Sequence, residues 1–402
     1  MILKNTLKKI VKSQKTELSL DYGIKRELLN KIDTKIPHAI ILAGIRRCGK
    51  STLLKQLMKK TNKCYYFNFE DPRALKFEVN DFEKLDEVFK EENKGCNHYF
   101  FDEIQNISNW EIFVRHMLDK KRKFVITGSN ASLLSRELGT KLTGRHLRYE
   151  LFPFSYKEML KLVKKEPGIK SFETYLNEGG FPEYLRYKKI EILQELFNNI
   201  IERDIVVRYN LRDSKLVKEI AIFLLTNIGK EFSYNSLKKM FDLGSTNSIT
   251  SYVSYFENSY LLFTVPKFDY SLKKQLVNPK KVYSIDTGFS NANSASFSLD
   301  KGRVLENIVF LQLRRKNKQI YYFREEKECD FVVKEREKII EAVQVCYKLD
   351  ESNKERELAG LFEAMNKFHL KEGLILTYDQ IDEFKIKGKK IIVMPTWKWL
   401  LE

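Results

Sequence analysis

Eight residues constrain the fold of this 402-residue chain more than any others: Gly44-Ile45-Arg46-Arg47-Cys48-Gly49-Lys50-Ser51. They satisfy every fixed position of the G-x-x-x-x-G-K-[ST] pattern. Its two glycines let the backbone turn tightly and aim successive N–H groups inward. With the N-terminus of a following helix, they make a nest for an anion. The flanks supply that context. His38 to Ala43 reads as a buried strand, and Ser51 to Lys60 reads as a helix with Leu53, Leu54 and Leu57 on one face. The prediction is a nucleotide-binding α/β fold in which residues 44–51 and Thr52 surround the phosphates. Lys50 would reach the β- and γ-phosphates, and the Ser51 hydroxyl would ligate Mg²⁺.

Three more β-rich runs follow: Cys64 to Phe69, Tyr99 to Glu103, and Lys123 to Ser129. Strands alternating with helical stretches predict a parallel sheet covered by helices on both faces. Ligands of such sheets bind beyond the strand C-terminal ends, where each run turns polar. At the second of these ends stand Asp102 and Glu103, two carboxylates delivered by an apolar strand. Asp102 is expected to hold Mg²⁺ opposite Ser51, and Glu103 to act as general base on the attacking water. Thr127-Gly128-Ser129-Asn130 closes the third strand, where Ser129 could sense the γ-phosphate or simply cap the next helix. Arg145 is the candidate for an arginine finger, in cis or from a neighbouring subunit of a homo-oligomer. Surface pairing is its alternative.

The phosphate loop, the Asp-Glu strand and the Ile126-Thr127-Gly128-Ser129 segment resemble an AAA-type P-loop ATPase. The match extends to Leu151-Phe152-Pro153-Phe154-Ser155-Tyr156-Lys157-Glu158, Gly179 to Leu185, Arg203-Asp204-Ile205 and Val282 to Gly288. These segments resemble recurrent parts of an archaeal and bacterial ATPase family that carries a winged-helix domain and a C-terminal domain of poorly defined function. The resemblance covers nearly the whole chain from about residue 22 and implies ATP, rather than GTP, as the nucleotide.

Composition and punctuation divide the chain into a basic helical segment (1–36) with a second helical run from Ile24 to Ile32, the ATPase core (37–150), a helical linker or lid (151–215), a winged helix-turn-helix (216–290) and a C-terminal α/β domain (301–402). In the fourth part a third helix near Ser245 to Glu257 presents Thr246, Asn247, Ser248, Thr250 and Ser251, side chains able to meet base edges or phosphates. The wing is expected from Leu261 to Val265 and Lys281 to Ile285, joined by a loop with Lys273 and Lys274. In the last part Glu306, Asp330 and Gln344-Val345-Cys346 fall where the PD-(D/E)xK nuclease fold places its acids and lysine. Metal-dependent cleavage needs two carboxylates and a lysine, yet Gln344 replaces an acid and Cys346 the lysine. A nuclease-like fold that has lost cleavage is expected.

A net charge of +18 is unevenly spread: residues 1–60 carry 15 Lys/Arg against 4 Asp/Glu. That bias suggests duplex DNA or another polyanion, or only a solvated helix face. No apolar run is long enough to span a membrane. Five cysteines without a C-x-x-C pair, and five histidines without metal-ligand spacing, predict a reduced, cytoplasmic protein lacking structural zinc. Two readings remain. One is a Mg-ATP hydrolase that moves its winged-helix and nuclease-like domains. The other is a nucleotide-gated DNA-binding regulator or scaffold with little turnover.

Overall fold

The computed structural model describes residues 1–18, 22–61, 63–128, 142, 144–296, 300–316 and 319–402. Strand β1, Ala39–Ala43, is buried along its whole length because apolar side chains occupy both of its faces. It lies in a five-stranded sheet with β2 (Cys64–Asn68), β3 (His98–Asp102), β4 (Lys123–Gly128) and β5 (His146–Glu150), in the order β2-β3-β4-β1-β5. Every pairing is parallel, as the alternating pattern predicts. Helices α2 (Lys50–Lys60), α3 (Asp81–Glu92) and α4 (Trp110–Asp119) connect the strands. The core is strongly aromatic: Phe82 stacks on Phe113 at 4.7 Å, and Tyr99 on Phe124 at 4.9 Å.

The chain forms two compact units, residues 1–152 and 153–402, so the basic N-terminal segment is part of the first. Helix α1 (Lys4–Glu17) buries Leu7, Ile10 and Val11 in that core. Its lysines face α3: Lys4 meets Glu87 and Glu91, Lys8 meets Glu91, and Lys12 meets Glu92. Three lysines of the basic segment are therefore paired within the unit. A second N-terminal helix expected over Ile24 to Ile32 is instead a single 3₁₀ turn, Glu27–Asn30. Gly23 precedes it with φ +58, and the backbone N–H of Arg26 is taken by the Gln56 side chain at 3.1 Å, which diverts the chain from helix.

The second unit opens with helices α5 (Tyr156–Val163), α6 (Ile169–Glu178), α7 (Pro182–Tyr187) and α8 (Glu191–Asn199), the last continuing as a π-helical stretch, Ile200–Val207. Next come α9 (Ser214–Thr226), β6 (Glu231–Phe232), α10 (Tyr234–Met240), α11 (Thr246–Asn258), β7 (Leu262–Pro266), α12 (Leu272–Val277) and β8 (Lys280–Ser284). The strands form an antiparallel sheet in the order β6-β8-β7. The connection expected as a lysine loop holds the short helix α12.

After α13 (Thr287–Asn293), helix α14 (Lys301–Arg315) leads into a six-stranded mixed sheet, β13-β14-β12-β11-β10-β9. Its strands are β9 (Gln319–Arg324), β10 (Glu328–Glu335), β11 (Lys338–Val345), β12 (Glu372–Thr377), β13 (Asp382–Ile386) and β14 (Lys389–Pro395), with α15 (Lys354–Lys367) between β11 and β12.

Two recurrent segments meet inside this unit. The Asp286 carboxylate accepts from the N–H of Gly180 at 2.6 Å and of Phe289 at 2.9 Å. A Cβ on Gly180 would lie 2.1 Å from the Phe154 carbonyl oxygen, so only glycine permits the approach. Burial pushes Asp286 up to about 6, against the pull of the backbone N–H groups that favour its charge. These segments form a packing joint.

Candidate functional site

The loop after β1 folds as its glycines require. Gly49 sits at φ +99 and Arg47 at φ 60, both in the left-handed region. Gly44 has no room for a side chain: a Cβ there would stand 2.1 Å from the Leu151 carbonyl oxygen. Ile45 and Cys48 are buried, and burial pushes the Cys48 thiol up, which keeps it neutral. Arg46 reaches Glu70 at 3.6 Å, while Ser51 and Thr52 open α2 half-buried.

Behind the loop lies a residue that motif reading passed over. Arg26 is buried, and its guanidinium donates to the carbonyls of Cys48 at 2.6 Å and Phe152 at 2.7 Å. A Cβ at Gly49 would come within 2.9 Å of the same group. Gln56 fixes this brace from α2 by donating to the carbonyls of Tyr22 and Ile24. Nothing in the local sequence separates Arg26 from the surface lysines and arginines around it. Only the fold brings it beneath the loop.

Strand order carries the acids to the loop. β4 lies between β1 and β3, pairing Ala43 with Gly128 and Phe101 with Ile126. Asp102 therefore ends level with Thr127 and Ser51. Asp102 is buried, and its carboxylate accepts from the hydroxyls of Thr127 and Ser51, with Tyr66 Oη at 3.5 Å. Burial, then the neighbouring Glu103, pushes Asp102 above the usual carboxylate range. The two hydroxyl bonds and the Lys50 charge hold it down.

Lys50 Nζ donates to the carbonyls of Gly44 at 3.2 Å and Ile45 at 3.1 Å, and lies 3.7 Å from Glu103 Oε1. Glu103 has a left-handed backbone, φ 53, that a non-glycine residue adopts only when its surroundings enforce it. The enforcing contacts are its N–H to Thr127 Oγ1 at 2.9 Å and its carboxylate to Gln105 Nε2. Thr127 thus donates to one acid and accepts from the backbone of the other. A polar cavity of about 640 Å³ opens beside Ser51 and Asp102, bordered also by Tyr66, Asn68, Glu70 and Asp71.

Of the remaining expected residues, one lies outside the described residues and one is not brought to this corner. Ser129 lies outside the described residues. Arg145 precedes β5 and donates to Asp119 at the surface. Its carbonyl binds the N–H of Ala39, at the start of β1, whereas the loop follows the end of β1. Five strand residues separate them, roughly 16 Å, so Arg145 does not reach the loop of its own chain.

The acids expected in the C-terminal unit do converge, around a lysine. Lys281 Nζ lies 3.0 Å from Glu306 Oε1, 2.7 Å from Glu328 Oε1 and 2.9 Å from Asp330 Oδ1. Tyr283, on the same face of β8, donates to Glu306 at 2.6 Å. Gln344 accepts from the N–H of Asp330 and donates to Glu357, two bonds that a carboxylate could not make together. Cys346 is a buried thiol pushed up to about 11 by burial. Among the described residues no group of three or more His, Cys, Asp or Glu side chains is arranged to hold a metal, and no helix is long and apolar enough to cross a membrane.

Residues 37–160 match an AAA domain, and 169–299 and 301–399 match two domains of unknown function. An uncharacterised protein of Methanocaldococcus jannaschii is 35% identical over 418 aligned residues, spanning 95% of this chain and 93% of that one. The chain belongs to the same family as this protein. An uncharacterised protein of Haemophilus influenzae is similar to this AAA-domain protein at 28% identity, over 89% of this chain and 93% of its own. Among solved structures, AMPPCP-bound DnaA from Aquifex aeolicus is similar with a TM-score of 0.30 at 14% identity, covering 57% of this chain and 85% of that one. PCH-2 of C. elegans is similar with a TM-score of 0.23 at 18% identity, covering 42% and 48%.

Proposed function

We propose that this protein is a Mg-dependent ATPase that couples turnover to movement of its winged-helix and nuclease-like domains, with duplex DNA as the partner. The observation that carries the reading is the convergence of Lys50, Ser51, Asp102 and Glu103 at one corner of the parallel sheet. A hydroxyl bonded to a buried carboxylate, beside a lysine and a polar cavity, is the donor set that suits a phosphate-bound Mg²⁺. Bound there, the ion would neutralise charge developing on the phosphates. With nucleotide bound, Lys50 would exchange its loop carbonyls for β- and γ-phosphate oxygens, Ser51 and Asp102 would hold the metal, and Glu103 would take the proton of the attacking water. Residues 44–52 would complete the phosphate contacts, and the sequence offers Ser129 as a sensor of the γ-phosphate. Arg145 can serve only as a finger donated to a neighbouring copy, so finger chemistry would require a homo-oligomer.

The DNA part rests on residues 214–284. Their element order and β6-β8-β7 sheet fit a winged helix-turn-helix. Helix α11 exposes Asn247 and Thr250 beside the half-buried Thr246, Ser248 and Ser251, and Lys239, Lys273 and Lys274 are exposed nearby in sequence. Helix α11 carries no arginine, which favours phosphate and shape contacts over guanine readout. Residues 301–402 are read as a nuclease-like domain without cleavage. We place the protein in the cytoplasm, consistent with its five free cysteines.

The deciding experiment is phosphate release from Mg-ATP by wild type and Glu103→Gln, each with and without duplex DNA. Turnover that DNA stimulates and Glu103→Gln abolishes is expected. Equal turnover in both proteins would remove Glu103 as the base. A second reading, a nucleotide-gated regulator, is favoured by the Glu103 carboxylate being tied to Gln105 and Lys50. It predicts tight ATP binding, negligible turnover, and DNA affinity that falls steeply with salt.

A further inference from the structure

Three carboxylates share one buried ammonium in the second unit, and the ATPase reading does not use them. Lys281 comes from the three-stranded sheet, Glu306 from α14, and Glu328 and Asp330 from β10. Lys281 is 3% exposed, so its charge has no recourse to solvent. An ammonium has three donors, and the three carboxylate oxygens stand 2.7–3.0 Å from it. The donor set is therefore saturated. Each acid is also held from outside: Glu306 by Tyr283, Asp330 by the N–H of Val345, and Glu328 by Arg324. These supports keep the oxygens aimed at the point where the nitrogen sits.

We propose that Lys281 is the resident cation of this cluster: its ammonium occupies the place a divalent ion would otherwise take, and without it Glu306, Glu328 and Asp330 form a divalent-cation site. The distances fit an ammonium and not a metal. Oxygen ligands approach Mg²⁺ at about 2.0–2.1 Å and Ca²⁺ at about 2.3–2.6 Å, so the acids here stand too far out to be a metal shell. With Lys281 in place the unit is closed to metal-dependent phosphodiester cleavage, and strand β8 is tied to the C-terminal sheet. Removing the ammonium leaves three facing carboxylates without their cation, in a low-dielectric setting where a divalent ion is the strongest available compensation. This inference is independent of the ATPase reading.

The test is Mn²⁺ binding to the nucleotide-free full-length chain, followed by electron paramagnetic resonance, for wild type, Glu306→Gln, Lys281→Met and Lys281→Met/Glu306→Gln. Lys281→Met should bind one more Mn²⁺ than wild type, at least about tenfold more tightly than any shared weak site, and the double variant should lose that ion. A Lys281→Met protein that binds no more Mn²⁺ than wild type overturns the proposal. So does a wild-type site that Glu306→Gln removes, because the position would then already accept metal. If Lys281→Met does not fold alone, its circular dichroism with Mn²⁺ answers the same question. Folding restored by Mn²⁺ but not in the double variant supports the proposal, and a chain still unfolded at saturating Mn²⁺ refutes it.

Discussion

Thr127→Val probes how the two acids are held. The change is nearly isosteric and leaves the Oγ-to-Asp102 and Glu103-N–H-to-Oγ bonds unmade. Thr127 is fully buried, so neither partner regains water. A buried polar group left unsatisfied costs about 1–3 kcal/mol, so the two together predict a loss of about 2–6 kcal/mol. Urea denaturation in a Trp397→Phe/Trp399→Phe background, where Trp110 alone reports the first unit, measures it directly. Catalysis should suffer separately. Freed from Thr127, Asp102 and Glu103 lose their mutual register, and a drop in turnover of about 10- to 100-fold corresponds to about 1.4–2.8 kcal/mol of barrier. The pH profile gives a third readout. Thr127 is one of the groups lowering the raised Asp102, so its removal lifts Asp102 further and moves the acid limb of turnover to higher pH. Thr127→Ser, which keeps the hydroxyl, should restore most of all three. The reasoning fails if Thr127→Val matches wild type in stability and phosphate release, or if Thr127→Ser is equally damaged.

Replacing Arg26 by Met keeps the side-chain length but removes the donors to Cys48 and Phe152. ATP affinity should weaken by about tenfold or more in a fluorescent-nucleotide titration, and an unchanged Kd would mean the loop shapes itself without the brace. The joint at Asp286 should be pH-sensitive. Its folded value of about 6 is above the ordinary aspartate value of 3.8, so protonation favours the fold, and that stability is lost as pH rises from near 4 through 6. A shift of this size is worth about 3 kcal/mol at most. Asp286→Asn should flatten the stability-versus-pH slope in that window, and parallel slopes for the two proteins would refute the assignment.

The phosphate loop, the strands around it and the Asp-Glu pair were legible in the sequence because their signals are local. Glycine spacing, apolar runs and turn residues act within a few positions of one another, and β1, α2 and β3 form where those patterns predict. Glu306 and Asp330 were legible as acids with a shared purpose, and they stand on α14 and β10. What fills the space between them was not. Lys281 reads as a wing lysine beside Lys280, and 49 residues separate it from Asp330. The second N-terminal helix and the lysine loop failed for a similar reason, since weak local propensity gives way to tertiary hydrogen bonds and packing.

By itself, then, the sequence determined the phosphate-binding turn, the parallel α/β unit and the chemical types at its corner. Each of these follows from backbone sterics and residue period. Only the tertiary structure decided which distant groups complete them: Arg26 under the loop, Thr127 between the acids, Arg145 at the far end of the sheet, and Lys281 among three carboxylates. A buried charge must find its partners wherever the fold brings them, and those partners leave no local pattern in the chain.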